Sequence, residues 1–274
     1  MKIRFALALT ALLPILVACK AQDGSADASA PTEATPSTEP ATPASTEPAT
    51  AEPGNETAPA EESAESAPAA PAAPAAAART PSGPAPVAGT DYVEIDGGQP
   101  FQPVAGKIEV AEVFGYVCPA CARFQPLVEP WKAGLPADVN FVYVPALFGG
   151  TWDDYARAFY AAQTLGVEDK THDALYKAIH VDQTLKGERG RDSVQDIANF
   201  YGKYGVDPKQ FADTMASFGV NARINRAKQF AARSKITGTP SLIVDGKYLV
   251  KGKSFEDMLR IADHLIAGER AAGQ

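Results

Sequence analysis

The chain has 274 residues, a formal net charge of −8 and 45% hydrophobic residues, but its composition is too uneven for one folded unit. Residues 1–89 hold ten acidic and four basic side chains, leaving 23 acidic and 21 basic for the remainder, so the charge divides into −6 and −2. The nearly neutral remainder has no basic stripe and no interleaving of basic and aromatic residues, which excludes nucleic acid as a partner class.

In chain order, Lys2 and Arg4 precede an apolar run from Phe5 to Val17, the anatomy of an export signal over residues 1–18. The run is shorter than the ~20 residues a spanning helix needs, and Pro14 interrupts it. Leu16-Val17-Ala18-Cys19 resembles the lipobox of bacterial lipoproteins, which implies that Cys19 is lipidated and becomes the new N-terminus. That also accounts for the odd cysteine of three in an exported chain. Residues 20–89 are mostly Ala, Pro, Glu, Thr and Ser, with no aromatic residue and only Val87 as a large aliphatic. They cannot bury enough apolar area to offset ordering entropy, so 19–89 reads as a lipidated cysteine with a disordered tether.

From Tyr92 to Gly268 the chain has the density of apolar residues that a core requires. Lys107–Gly115 alternates as a strand, with Ile108, Val110, Glu112 and Phe114 on the more apolar face. Pro119 suits the first turn of a helix running to about Trp131, which Pro126 should kink. Val139–Val144 reads as a second strand. Between Thr151 and Lys235 no strand signal occurs. Helices are predicted to start at Thr171, at Ser193 (with Val194, Ile197 and Tyr201) and at Asp207-Pro208 (with Phe211, Met215 and Phe218). Leu242–Val244 and Tyr248–Val250 flank Asp245-Gly246 as a hairpin, and a last helix starts at Ser254 with Asp257 completing a capping box.

The chemistry concentrates at Cys118-Pro119-Ala120-Cys121, at a strand-to-helix junction. Unsatisfied backbone N–H groups and the positive end of the helix dipole favour a thiolate at Cys118, the expected exposed, attacking sulfur. Cys121, one turn on, is expected to be buried and to resolve the mixed disulfide. Glu112, six residues before Cys118 on the inward strand face, is the candidate proton acceptor, with a pKa raised by desolvation. A zinc site needs four ligands; there is no second cysteine pair, and His172, His180 and His264 are scattered. A purely structural disulfide over so short a loop would constrain the unfolded chain little. Gly238-Thr239-Pro240 precedes the hairpin's first strand, where a proline is ordinarily a trans strand-entry residue.

Together, the strand, Phe-Gly-Tyr-Val-Cys-Pro-Ala-Cys, the kinked helix, the helical block and Thr-Pro before a strand resemble the DsbA family of periplasmic disulfide oxidoreductases, over about Tyr92–Gly268. The resemblance implies an α/β thioredoxin-like fold over 90–150 and 236–270, with an inserted helical domain over 151–235. It further implies a cis Pro240, a Thr239 backbone that pairs with substrate, and a buried acid at Glu112. Pro119 and Ala120, between the cysteines, would tune the site. Two departures bear on the direction of electron flow. Ala120 stands where the best-known members have histidine, which weakens the expected oxidising power, and no lysine lies in Pro145–Trp152 to partner the acid.

The resulting expectation is an enzyme, an oxidase donating the Cys118–Cys121 disulfide to exported proteins. It would use no cofactor or metal, be reoxidised by a DsbB-like membrane quinone reductase, and work as a lipid-anchored monomer on the periplasmic side of a membrane. One alternative is a reductase or isomerase, although superfamily isomerases usually dimerise through a folded N-terminal domain. Another is a chaperone or interaction module whose cysteines are incidental.

Overall fold

The computed structural model describes residues 79–273. The signal segment, Cys19 and the tether up to residue 78 lie outside the described residues.

Five strands form one sheet in the order β1-β5-β4-β2-β3: β1 Tyr92–Glu94, β2 Ile108–Phe114, β3 Val139–Pro145, β4 Ser241–Val244 and β5 Tyr248–Val250. β2 pairs with β3 in parallel, and the other neighbours are antiparallel. Helix α1 (Pro119–Ala133) makes the crossover from β2 to β3. Between β3 and β4 come α2 (Thr151–Thr164), α3 (Glu168–His180), α4 (Val194–Gly202), α5 (Pro208–Ala216) and α6 (Phe218–Arg233); α7 (Phe255–Ala272) closes the chain. No described helix is long and apolar enough to cross a membrane.

β2 is an interior strand, between β4 and β3, with apolar packing on both faces. Val110, with Leu242 and Val244, packs on Phe124 and Val128 of α1 and on Ile261, Ala262 and Leu265 of α7. Ala111, Val113 and Ile243 face the core shared with α2–α6, which contains Phe159, Leu175, Tyr201 and Phe230. Each such large apolar side chain contributes roughly 1.5–3 kcal/mol on burial. The alternation expected of β2 is therefore not an inside and an outside. Glu109, on the other face from Glu112, is also buried, its carboxylate accepting from the N–H groups of Phe101 and Gln102 at 2.5 Å. A strand covered on both faces has no solvent side to put its polar residues on.

Helix starts encoded by side-chain caps fall where expected. The Ser193 hydroxyl accepts from Asp196 N–H in a reciprocal capping box, and Asp207 accepts from Gln210 N–H. At α7, Ser254 accepts from Asp257 N–H as expected, but the Asp257 carboxylate reaches Lys253 N–H, one residue before the cap. Three readings need correction. α3 starts at Glu168, so Thr171 lies within its first turn and its hydroxyl donates to the Val167 carbonyl. Ser217 ends α5 and caps a separate α6, which leaves Phe218 88% exposed rather than in the core. Val194 is exposed at the start of α4, while Ile197 and Tyr201 of the same helix are buried.

Residues 79–89, read from the sequence as the end of the tether, lie against α7 and α1. Pro84 and Ser82 offer carbonyls to Arg260 and His264, and the Arg79 guanidinium lies against Gly134. Backbone hydrogen bonding rather than apolar burial holds this segment, so hydrophobicity alone gave no sign of it.

Candidate active site

The turn from β2 into α1 is shaped by Gly115. A Cβ there would sit 2.2 Å from the Trp152 ring of α2, so only glycine lets the turn lie that close. Cys118 N–H donates to the Gly115 carbonyl at 3.0 Å, and Cys118 is the N-cap of α1 in extended conformation, with Pro119 at the first helical position. The Cys118 sulfur thereby faces the helix's free N–H groups, accepting from Cys121 N–H at 3.4 Å. Pro119 is exposed and Ala120 half-buried, so neither adds a charge or a side-chain donor.

Both cysteines are free thiols in this structure. Cys121 is fully buried; Cys118, expected to be exposed, is only 7% exposed. Its partner is the loop before β4: the Cys118 thiol lies 3.5 Å from the Thr239 carbonyl, and the Thr239–Pro240 peptide is cis. Pro240 and Thr239 are half-buried beside the sulfur, 121 residues distant in sequence.

The two thiols are driven apart electrically. A hydrogen bond from the Cys121 thiol lowers Cys118 to about 5, against the upward push of burial, with further help from Thr239 and the N–H groups of Cys121 and Ala120. Burial first, then its hydrogen bond to Cys118 and the charges of Cys118 and Glu112, raise Cys121 well above the usual thiol range. Cys118 is thus the thiolate at neutral pH and Cys121 the thiol.

Glu112 is fully buried on β2 between its register partners Leu242 of β4 and Tyr143 of β3, and neither carboxyl oxygen has a hydrogen-bond partner among the described residues. Desolvation raises its pKa to about 8; Lys132 pulls it down and Cys118 pushes it further up. The group is therefore neutral but titratable near working pH, suited to passing a proton to or from Cys121.

Sequence reasoning missed Lys132. Pro145–Trp152 holds no lysine, and this cation comes from α1: its ammonium pairs with Glu129 at 2.8 Å and sits 4.9 Å over the Tyr143 ring. The signal was helical spacing, since Cys121, Gln125, Val128 and Lys132 follow one another on one helix face. Gln125 is buried there and donates to Asp173 at 2.8 Å and to the Tyr143 hydroxyl at 3.3 Å.

Two histidines that looked scattered converge on Tyr116 in the active-site turn. His180 Nε2 lies 2.7 Å from the Tyr116 carbonyl, and His172 Nδ1 lies 2.9 Å from its hydroxyl. Burial, then Lys132, drops His172 to about 3, so its imidazole is neutral and its 3.4 Å approach to Glu168 is not an ion pair. Burial also raises Glu168, to about 7. Among the described residues no cluster could hold a metal ion.

The model of the family described as "DSBA-like thioredoxin domain" matches residues 109–262. A thiol:disulfide interchange protein DsbA of Pseudomonas syringae pv. tomato is 42% identical over 190 residues, covering 68% of this chain and 86% of that protein. The protein of the same name from Pseudomonas aeruginosa PAO1 is 40% identical over 191 residues, covering 68% and 87%. Among solved structures, oxidoreductase DsbA from Xylella fastidiosa superposes with a TM-score of 0.66 at 46% identity, covering 68% of this chain and 98% of that one.

Proposed function

This chain belongs to the family of DSBA-like thioredoxin domains, and we propose that it is a thiol:disulfide oxidase that donates the Cys118–Cys121 disulfide to exported proteins. The observation that carries the reading is the split between a stabilised Cys118 thiolate and a buried Cys121 thiol. A thiolate favoured in the reduced protein is a good leaving group and makes the disulfide form the stronger oxidant.

In the donating direction a substrate thiolate attacks Cys118 Sγ; the Cys118–Cys121 bond breaks, and Cys121 leaves with the electron pair and takes a proton from Glu112, which is neutral at pH 7. A second substrate thiolate then attacks the substrate sulfur of the mixed disulfide, releasing Cys118 as thiolate and the substrate as disulfide. Reoxidation reverses the flow and returns two electrons to a DsbB-like quinone reductase in the membrane. The Thr239 backbone beside Cys118 pairs with the extended substrate chain.

Cys121→Ser leaves Cys118 as the one thiolate of the site: it attacks a substrate disulfide, expelling one substrate thiolate, and no Cys121 remains to displace the substrate from the resulting mixed disulfide. Substrates are expected to accumulate as covalent adducts at Cys118, seen as reducible high-mass bands on nonreducing gels. Absence of adducts in cells secreting cysteine-containing proteins would overturn the assigned roles.

One observation favours reduction instead. Ala120 offers its backbone N–H but no side-chain donor to the Cys118 thiolate, so less stabilisation is available than a histidine would give. Equilibration of the full chain with glutathione buffers separates the two. Reduction by modest glutathione marks a disulfide donor, whereas a disulfide that persists to strongly reducing conditions marks a reductase.

The oxidase works as a monomer held to the periplasmic side of a membrane through a lipid on Cys19, the reading supported by the lipobox-like residues before it. Cys19→Ala is expected to abolish incorporation of labelled fatty acid; continued labelling would remove this anchor.

A further inference from the structure

We propose that the cleft along the outer edge of β3 docks an extended, acidic peptide segment of a partner protein, at a site separate from the thiols. β3 ends the sheet, so the edge it turns away from β2 has no strand partner among the described residues. A cleft of about 750 Å³ is lined by four consecutive residues of this strand, Asn140 to Tyr143. Successive side chains of a strand point to opposite faces, so a cleft touched by all four follows the backbone edge rather than either face. An unpaired edge of this kind is a template for an added strand, with main-chain hydrogen bonds supplying affinity. Four residues give about 10 Å of such pairing.

Charge selects the occupant. Arg223 and Arg226 of α6 form the facing wall, and both are exposed. Among the described residues neither has a carboxylate within ion-pair distance; Arg226 donates to the Phe101 carbonyl and Arg223 to Gln163 Oε1 at 3.5 Å. Guanidinium groups match carboxylates in geometry and charge. Between them and the strand lies Tyr160, whose residue is 3% exposed and whose hydroxyl is buried without a hydrogen-bond partner among the described residues. The cleft's acids, Glu168 and Asp169, are set on α3, and its remaining cation, Lys132, is already paired with Glu129. An acidic side chain is therefore drawn to the α6 wall. Cys118, Cys121, Thr239 and Pro240 do not line this cleft.

The test is titration of the isotope-labelled full chain, followed by NMR, with three capped hexapeptides. One alternates Val and Glu, one alternates Val and Lys, and one is the Val/Glu peptide with alternate amides methylated. The Val/Glu peptide is expected to shift the amides of Asn140–Tyr143 and the Arg223 side chain saturably. Binding is expected to weaken at least tenfold for the other two peptides and for Arg223→Glu. Arg223→Gln, on an exposed position, gives an intermediate loss with the rest of the spectrum unchanged. Equal binding of the Val/Lys peptide would overturn the charge argument, and undiminished binding of the methylated peptide would overturn edge pairing. Shifts confined to Cys118 and Thr239, or no saturable shift, would overturn the site.

Discussion

Reduced protein taken from pH 9 to pH 3 is expected to lose its Cys118 thiolate absorbance with a midpoint near 5, while Cys121 contributes no step in that range. The consequence for stability has a definite sign. The folded pKa of Cys118 lies below its ordinary value of 9.0, so its contribution is full above the unfolded pKa and is lost as pH falls through the folded one. At pH 7 the two-unit gap above the folded pKa stabilises the reduced fold by roughly 3 kcal/mol. Closing a four-residue loop with a disulfide stabilises the oxidised fold by only about 2 kcal/mol. The thiolate contribution exceeds the loop contribution, so the reduced form is expected to be the more stable in urea at pH 7, and the oxidised form below pH 5. At about 30 mV per 1.4 kcal/mol, the thiolate raises the reduction potential by roughly 60 mV. If the oxidised chain is the more stable at pH 7, this account of the direction of electron flow fails.

Glu112→Gln should stabilise the reduced protein at pH 7 by roughly 3 kcal/mol and leave its stability at pH 4 unchanged. Here the folded pKa, about 8, lies above the ordinary 4.5. Stability is therefore fully present below the unfolded value and drains away as pH rises through the folded one, because the unfolded chain ionises while the buried carboxyl does not. Glutamine occupies nearly the same volume and never ionises, so it escapes this loss. The benefit comes with slower chemistry, since the variant cannot exchange a proton with Cys121. Exchange with a model dithiol is expected to slow by about two orders of magnitude, and the wild-type inflection near pH 8 should vanish. Equal urea midpoints for both proteins at pH 7 would mean that Glu112 is already ionised in the fold, and its role as proton carrier would fall. A stable but slow variant is what a destabilising functional group predicts; a stable and fast one would leave Glu112 without a function in this site.

Lys132 and Tyr143 explain why Glu112 remains within reach of titration. Full desolvation raises the carboxyl, and the ammonium over the Tyr143 ring limits the rise. The cation near the acid thus comes from α1 and not from Pro145–Trp152 after β3. His172 behind Tyr143 contributes no charge, being neutral, but it stacks on that ring at 4.2 Å and ties it to Tyr116 of the active-site turn.

What the sequence determined by itself is what short-range interactions decide. Cys118 at the N-cap with Pro119 behind it, the caps at Ser193, Asp207 and Ser254, and the Asp245-Gly246 turn with both residues at positive φ involve partners only a few residues apart, so their signals are local. The alternation of β2 likewise put Glu112 on the same face as Val110. Only the tertiary structure decided what surrounds these residues. It brought Thr239 to Cys118 across 121 positions and His172 to Tyr116 across 56, and it covered the second face of β2 so that Glu109 is buried too. It also split one apolar helical run at Ser217, leaving Phe218 in solvent, and started α2 at Thr151 after Gly150, which has no capping side chain to announce it. Caps and turns are selected by hydrogen bonds within a few residues of backbone. Burial and charge coupling depend on which distant elements pack together, which no window of the sequence contains.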